Sequence, residues 1–484
     1  MTAKHKSRSG ACGPGSGAAL PSEGGAPLSR RALLRGGVWG AAGWLLADGL
    51  MRRAFAAEPG AAAPAAAAPA TAAAAAAAPA TPAKAKAVIQ IWLSGGPPHT
   101  DTFDPKPKSG RDYTGPFDSP IPTNVEGIQI GQMLPLLAQQ ADKYALIRSM
   151  THGNNGHETA AYMVQTGRRA EGTDVFPCVG SVVSFFKGYA AGYSGLLPPY
   201  IVLTRPEGRF SEAGFLGPRY KPFATGGDPA APQFVVEGFV AEGITRERQK
   251  ARRGLLHDLD ALGSAMAGDP RLEAQAKAEE TAYDLILGEA SNIFYLDTEP
   301  VEVRQAYGLN TFGQSCLMAR RLVEKGIPYV QINSGGWDTH KQHFEAMRQK
   351  LPQLDNGLAT LLKELADRRL LESTVIWCCG EFGRTPKVDV DPPWAGGRGH
   401  YGAVFSCLVA GGGFKGGRVV GASDAKGEKV AERPVYPWDL IGSIYELLGM
   451  DPEGTFPNYR EGTVRLTPAA AEGYPIGGRL KEIM

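Results

Sequence analysis

Apolar runs and helical patterns alternate along most of this chain. Five apolar runs each lead into a Gly-rich or polar turn, as buried parallel strands do when a loop follows their carboxyl ends. They are Val88–Leu93, Tyr144–Ile147, Tyr329–Ile332, Thr374–Cys379 and Val404–Ala410. Helical periodicity predicts helices over His157–Gly167, Thr311–Lys325, His343–Leu371 and Trp438–Leu448. This alternation predicts an α/β fold with a doubly wound, mostly parallel sheet, and a ligand-binding edge at the carboxyl ends of its strands.

Two segments depart from the alternation. Residues 57–86 are almost entirely Ala, Pro, Thr and Lys, so they have no large apolar side chains with which to build a core. This composition predicts a disordered linker. Residues 209–306 carry more charge, Gly and Pro, with a long polar helical pattern around Arg248–Ala290. We expect this second segment to be an inserted helical or irregular cap on an α/β domain that covers residues 87–470.

The amino terminus has the order of parts of an export signal. Ser29–Arg35 reads SRRALLR, the apolar stretch Val38–Leu50 follows it, and Ala54-Phe55-Ala56 offers small residues for cleavage. Residues 1–56 are therefore predicted to be a twin-arginine signal peptide, and the mature protein is expected to be periplasmic or secreted. The apolar stretch is shorter than the roughly 20 residues of a spanning helix, so we expect no integral membrane span after cleavage.

Charge and cysteine content exclude two classes of protein. The chain carries a net charge of +2, but residues 1–56 hold eight Lys/Arg against two Asp/Glu, which leaves about −4 for the remainder. A nucleic-acid partner is therefore not expected. Beyond the signal there are five cysteines without a repeated spacing, which predicts buried, unreactive thiols and no disulfide framework.

Histidines gather where the predicted strands end. Seven lie beyond the signal, and His257 in a helical pattern is given no role. The other six fall in or near strand-end turns that also carry Asp, Glu or Gly: His99, His152, His157, His340, His343 and His400. Since ligands of α/β proteins bind at this edge, the placement of the histidines predicts a functional site there.

Three of these turns carry the residue types that bind divalent metals. Asp338 and His340 follow Gly335-Gly336, Glu381 follows the next strand, and His400 precedes another. In the first turn, Asp101 is the better candidate ligand, because Asp104 before a proline reads as a turn former. Carboxylates mixed with imidazoles suit zinc, manganese or a similar ion. Taken singly, each residue also has a structural reading as a helix cap, an ion-pair partner or a turn residue.

The run from Ile89 to about Val464 resembles the exported bacterial family called domain of unknown function 1501, within the alkaline phosphatase/sulfatase-like superfamily. The motifs that carry the resemblance are Gly95-Gly96 with Asp101 and Asp104-Pro105, His157 with Thr166–Arg169, Gly335–His340, Gly380–Pro386, Gly399-His400 and Pro437–Leu440. The resemblance implies an alkaline phosphatase-like sheet and a divalent metal, with zinc expected and manganese, calcium or magnesium as alternatives. It also implies that Asp338 and His340 form a first metal pair, that Glu381 is the second carboxylate ligand, and that His400 is the late histidine ligand.

The chain departs from that superfamily at two positions. Nine residues before Thr166-Gly167, where the superfamily has a Cys, Ser or Thr nucleophile, stands His157, so a formylglycine mechanism is excluded there. The first strand ends in Ser94-Gly95 where a metal-binding Asp is usual, which would move that role to Asp101. Three roles stay open for His157: a further metal ligand, a covalent nucleophile on phosphorus, or part of a site that only binds.

The sequence thus predicts an exported, metal-dependent hydrolase of phosphate or sulfate esters, with a small-molecule or glycan ester as substrate. His157 is the candidate catalytic residue, and His152 and Arg384 are the candidate substrate-binding residues. The helix that begins at His157 offers free N–H groups to an anion. The alternative is a non-catalytic exported protein that uses the same fold to bind a carbohydrate or an envelope partner.

Overall fold

A computed structural model of the chain describes residues 82–206, 212–231, 234, 236, 246–259, 289–457 and 459–484. The predicted signal peptide lies outside these residues, as do most of the predicted linker and residues 260–288 of the predicted cap. The last linker residues already belong to the domain, because Lys84 and Ala85 both donate backbone hydrogen bonds to the Leu447 carbonyl at 2.9 Å. None of the helices in the described ranges combines the length and the apolar character needed to cross a membrane.

Eight described strands form one central sheet. In chain order they are β1 Ala87–Leu93, β2 Tyr144–Met150, β3 Tyr200–Leu203, β4 Phe223–Ala224, β5 Tyr329–Ser334, β6 Thr374–Cys379, β7 Phe405–Ala410 and β8 Arg418–Val420. Their order across the sheet is β8-β2-β7-β6-β1-β5-β3-β4. β1 pairs in parallel with both β5 and β6, with Ile91 opposite Ile332 on one side and Cys378 on the other. Among the described strands of this sheet, β7 alone runs antiparallel to its neighbours.

Helices cover both faces of the sheet. The described α-helices are α1 Arg111–Thr114, α2 Pro135–Ala138, α3 His157–Thr166, α4 Val179–Val183, α5 Arg246–Leu259, α6 Val301–Tyr307, α7 Thr311–Glu324, α8 His343–Asp367 and α9 Pro437–Leu447. α7 and α8 pack on one face with Ile89 and Ile91 of β1, and α3, α4 and α9 pack on the other with Val88 and Trp92. Successive residues of β1 thus enter opposite cores. The doubly wound, mostly parallel α/β fold predicted from the sequence is confirmed.

The sheet extends further than the sequence pattern indicated. β3 was not predicted, because its four apolar residues follow a proline and lead into no Gly-rich turn. Where the structure describes the segment 209–306, Phe223–Ala224 pairs with β3 and forms the edge of the sheet. Part of the predicted insertion therefore belongs to the sheet layer, while the role of the remainder as a cap stays a prediction. The five cysteines beyond the signal are buried free thiols, as expected.

Candidate metal centre

Four segments bring titratable side chains to the carboxyl edge of the sheet. Asp338 and His340 lie in the loop from β5 to α8, and Glu381 follows β6 directly. His157 is the first residue of α3, which comes after β2. His400 lies in a short antiparallel ribbon in which it pairs with Arg384. Because β1, β2, β5 and β6 point the same way, these segments meet at one edge although they are far apart in the chain.

His157, Asp338 and His400 form the centre of this cluster. His157 Nε2 lies 3.3 Å from Asp338 Oδ2, and His400 Nε2 lies 3.2 Å from Asp338 Oδ1. One ligand-type atom from each of the three residues lies within 4.8 Å of the other two. The side chains are 38%, 42% and 24% exposed respectively, so solvent reaches the cluster. The three ligand-type atoms therefore form a solvent-accessible candidate site for a cation.

The outer nitrogens of the two imidazoles are held by partners elsewhere in the chain. His157 Nδ1 lies 2.6 Å from Glu381 Oε1, and His400 Nδ1 lies 2.8 Å from the Asn155 carbonyl oxygen. Both partners are acceptors, so each Nδ1 carries the proton and donates it. In the neutral rings, both Nε2 atoms therefore present lone pairs towards the Asp338 carboxylate. Histidines that bind metals are oriented in this way by a carboxylate or a carbonyl behind them.

His340 lies beside this centre. Its Nε2 is 3.0 Å from Asp338 Oδ1 and 2.9 Å from His400 Nε2. Its ring also contacts Trp394, with the ring centroids 4.7 Å apart. Burial is the largest influence that lowers the pKa of His340; the carboxylate of Asp338 opposes it, and the charge of Arg384 lowers the pKa further. A largely neutral His340 thus adds a fourth possible ligand atom next to the other three.

Arg384 does not extend towards solvent as a substrate-binding residue would. Its side chain is fully buried, with Nε donating to the Gly95 and Gly96 carbonyls at 3.1 and 3.2 Å and Nη2 donating to Asp338 Oδ1. Burial pushes the pKa of Asp338 up, but the hydrogen bond and charge of Arg384 outweigh it and hold the pKa below its ordinary value. The geometry lets Arg384 keep Asp338 ionised and oriented, and its contact with substrate stays a prediction.

Glu381 lies behind His157. The Glu381 carboxylate is buried and accepts the Gly95 N–H at 2.9 and 3.1 Å as well as the His157 Nδ1–H. The hydrogen bond that His157 donates to Glu381 is the largest influence that raises the pKa of His157, and the charge of Asp338 adds to it. The residue predicted as the second carboxylate ligand is therefore placed as the orienting partner of a ligand-type histidine.

Both ring nitrogens of His152 are hydrogen-bonded to groups of the protein itself. Its Nε2 lies 2.6 Å from the Glu381 carbonyl, and its Nδ1 accepts the Asn154 N–H at 3.1 Å. Burial lowers the pKa of His152 to about 4, so the ring is neutral at pH 7. Both ring nitrogens therefore bind backbone groups next to the site, and the contact of His152 with substrate stays a prediction.

Asp101 is not in the cluster, contrary to the expectation that it supplies a metal ligand. Its buried carboxylate accepts His343 Nε2–H at 2.6 Å and the guanidinium of Arg398 at 3.1 Å. Burial pushes the pKa of Asp101 up, but Arg398 and His343 outweigh it and lower the pKa. With both oxygens bound by these neighbours, Asp101 belongs to a separate buried network beneath the site.

Sequence reasoning missed two residues that shape the centre. Asn155 acts through its backbone carbonyl, which no side-chain pattern reveals. Arg398 is fully buried two residues before His400, in the run Gly397-Arg398-Gly399-His400. An arginine between two glycines beside a candidate ligand was a usable signal, because glycines allow close backbone packing around a buried guanidinium.

α3 begins beside the candidate metal centre without a side-chain cap. The cap residue Gly156 has no side chain to satisfy the first-turn N–H groups, and the helix begins at His157 itself. The first N–H groups of a helix have no partner within it and carry partial positive charge. A ligand-type imidazole and a helix amino terminus thus lie at the same point.

The chain was compared with known families and structures. The family model described as Protein of unknown function (DUF1501) matches residues 85–475. No protein with a curated description matches the chain.

Similar solved structures include Ps i-CgsB in complex with k-i-k-neocarrahexaose, at 11% identity and a TM-score of 0.37 over 81% of this chain and 77% of that one. The lipoteichoic acid synthase LtaP from Listeria monocytogenes is similar at 9% identity and 0.36, over 80% and 75%. A protein in the alkaline phosphatase superfamily from Vibrio parahaemolyticus is similar at 10% and 0.36, over 77% and 68%. At TM-scores below 0.5, these similarities do not by themselves say what this chain acts on.

Proposed function

The chain belongs to the family described as Protein of unknown function (DUF1501), and we propose that it is an exported, metal-dependent hydrolase of phosphate or sulfate esters. The observation that carries the proposal is the convergence of two imidazole Nε2 atoms on the Asp338 carboxylate, within 3.3 Å. Both imidazoles have their opposite nitrogens fixed as donors. Three acceptor atoms that face one another are stable only with a cation or a proton between them.

The donor set fits a divalent ion. His157, His400 and Asp338 would hold it, with His340 as a neighbouring fourth donor. Two or three imidazoles with one carboxylate favour zinc, with manganese, calcium or magnesium as the alternatives to test. When bound, such an ion supplies Lewis-acid polarisation of an ester oxygen.

The chain's own residues prepare the site for an anionic ester. Glu381 holds the proton on His157 Nδ1, the Asn155 carbonyl holds the proton on His400 Nδ1, and Arg384 offsets the charge of Asp338. The first-turn N–H groups of α3 offer hydrogen bonds to non-bridging phosphate or sulfate oxygens. This division of roles favours His157 as a ligand over His157 as a nucleophile, because its free nitrogen faces the carboxylate at 3.3 Å.

The test is direct metal binding followed by ester turnover. Purified full-length chain is stripped with a chelator and titrated with Zn²⁺, Mn²⁺, Ca²⁺ and Mg²⁺ by calorimetry. Hydrolysis of aryl phosphate and aryl sulfate esters is then measured with and without each ion. His157→Ala and His400→Ala should abolish binding, whereas Glu381→Gln should weaken it by roughly 10- to 100-fold. His257→Ala, at the histidine to which the sequence assigns no role, is the matched control and should bind as the unmodified chain does.

The combination of ion binding and ester turnover distinguishes a hydrolase from a protein that only binds. Binding of ion with ion-dependent ester turnover supports the proposal. A folded chain that binds none of Zn²⁺, Mn²⁺, Ca²⁺ and Mg²⁺ would overturn it. Stoichiometric ion binding without turnover of either ester class would refute the hydrolase and leave the non-catalytic, carbohydrate- or envelope-binding alternative.

A further inference from the structure

A second hydrogen-bonded network lies directly under the candidate metal centre. Thr339, the residue between Asp338 and His340, has its Oγ1 2.6 Å from His343 Nδ1. His343 Nε2 lies 2.6 Å from Asp101 Oδ2, and Arg398 Nη2 donates to Asp101 Oδ1 at 3.1 Å. We call Thr339, His343, Asp101 and Arg398 the support network. Its members come from the turn after β1, the β5–α8 loop, the start of α8 and the loop before His400.

The position of each proton in the support network follows from the charge of Asp101 at one end of it. Asp101 is ionised beside Arg398 and only accepts, so His343 Nε2 carries a proton and donates it. A neutral His343 then has an acceptor at Nδ1, which leaves the Thr339 hydroxyl as the donor. Every link therefore has one direction, from Thr339 to His343 to Asp101, and each member restricts the rotamer of the next.

The support network also joins the two loops that carry the site. Arg398 donates its backbone N–H to the Thr339 carbonyl at 3.2 Å, and its own carbonyl accepts Arg384 Nη1 at 3.0 Å. A Cβ on Gly397 would overlap the His340 carbonyl oxygen, so the two backbones touch at that point. The loop with Asp338 and His340 and the loop with His400 are therefore held at a fixed separation.

The burial of the support network decides whether its residues can act on a substrate. Threonine, histidine and aspartate in this order resemble an activated nucleophile, but His343 and Asp101 are completely buried and Thr339 is 6% exposed. A substrate cannot reach the Thr339 hydroxyl without unfolding the loop. The network therefore acts through the residues that it holds and not on a substrate.

We propose that the support network is a positioning device that sets the ion affinity of the centre by holding Asp338 and His340 in register with His400. The inference rests on the proposed metal-dependent function. Asp101, Thr339, His343 and Arg398 are positioning residues under it, and none of them ligates the ion. Residues behind metal ligands typically change metal affinity by roughly 10- to 100-fold when they are removed.

The test uses an isosteric pair of variants. Thr339→Val removes the hydroxyl donor and keeps the shape, and Thr339→Ser restores the donor. Thr467→Val is the matched control, because Thr467 is equally buried and donates one hydrogen bond to the Pro452 carbonyl at 2.7 Å, in the carboxyl-terminal region. Two quantities are measured on full-length chain: Zn²⁺ affinity by competition with a chromophoric chelator, and hydrogen–deuterium exchange of the peptide that spans residues 335–342 in chelator-treated protein.

The expected result is a loss of Zn²⁺ affinity of about 10-fold or more in Thr339→Val, with faster exchange in that peptide, recovery in Thr339→Ser and no change in Thr467→Val. Equal exchange and equal affinity in Thr339→Val and the unmodified chain would overturn the inference. Zn²⁺ binding without ester turnover would refute the hydrolase and leave this affinity test intact. If the unmodified chain binds no Zn²⁺, the proposed metal site itself fails. In that case the exchange of residues 335–342 alone decides whether the network holds the loop, and unchanged exchange refutes it.

Discussion

Replacing Gly95 by alanine should damage both the fold and the candidate metal centre. Gly95 has φ +110°, outside the region that side chains readily adopt. A Cβ there would overlap the backbone nitrogen of Asp338 and lie 2.8 Å from the Trp337 carbonyl carbon. Gly95 also donates to Glu381 and accepts from Arg384, so any backbone shift moves two residues that orient the site.

The expected loss of unfolding free energy in Gly95→Ala has two parts. A positive φ costs an alanine about 1–2 kcal/mol. The overlap adds about 1–3 kcal/mol, as in an overpacked core, because the obstructing atoms are backbone and cannot rotate away. Gly110→Ala measures the cost of the positive φ alone, because Gly110 has φ +90° with open space around its Cβ position. We expect Gly110→Ala to lose about 1–2 kcal/mol and Gly95→Ala to lose about 3 kcal/mol or more.

The assay is urea unfolding of both variants beside the unmodified chain, followed by Zn²⁺ titration of whichever variants fold. Gly95→Ala should show the larger loss of unfolding free energy and weaker ion binding, while Gly110→Ala should bind as the unmodified chain does. If the two variants lost the same stability and Gly95→Ala bound Zn²⁺ normally, the close packing of the Asp338 loop on the end of β1 would be refuted.

Two other groups give independent predictions. The pKa of His152 is lowered by burial to about 4, below the unfolded value near 6.5, so the stability it contributes is present above pH 6.5 and is lost as the pH falls towards 4. Chemical denaturation across this range should show a decline of at most about 3 kcal/mol that His152→Asn reduces, and an identical pH profile in His152→Asn would contradict the assignment. Arg320 is 4% exposed between Glu299 at 2.7 Å and Glu324 at 2.9 Å. Arg320→Ala leaves those carboxylates without their partner and should lower the unfolding free energy by about 3–5 kcal/mol, whereas a loss below about 1 kcal/mol would show that the pair is not desolvated.

Much of the fold could be predicted from the sequence because it depends on local patterns. Apolar runs that lead into turns located four sheet strands to within a few residues, and Tyr144–Met150 continued three residues beyond its prediction. The start of α8 at His343 and the end of α3 before Gly167, which has φ +69°, also followed from local signals. The edge strand Phe223–Ala224 could not be predicted in this way, since two residues have no periodicity and pair only because β3 lies beside them.

In the candidate site, too, local sequence patterns predicted the location of residues but not their contacts. Asp338, His340, Glu381 and His400 could be expected near one another because each follows or precedes a strand at the same edge. What the sequence could not distinguish was a ligand-type atom from the residue behind it. Glu381 and Asp101 are both acidic residues in strand-end turns, and only their partners in space differ.

The packing at the end of β1 leaves no room for a side chain at Gly95. The resemblance leads one to expect a metal-binding Asp near Ser94-Gly95, but the β5–α8 loop lies directly on this strand end, where Trp337 N–H donates to the Ser94 carbonyl at 3.1 Å. A side chain on Gly95 would occupy the volume of the Asp338 backbone. With that position closed, the carboxylate at the centre comes from Asp338 itself. Asp101, to which the sequence transferred the role, lies one layer deeper, where the charge of Arg398 and the proton of His343 already neutralise it. Asp338 is also paired with a guanidinium, that of Arg384, but its side chain is 42% exposed and its second oxygen faces His157 Nε2 at 3.3 Å, so an ion from solvent has access to Asp338 and not to Asp101.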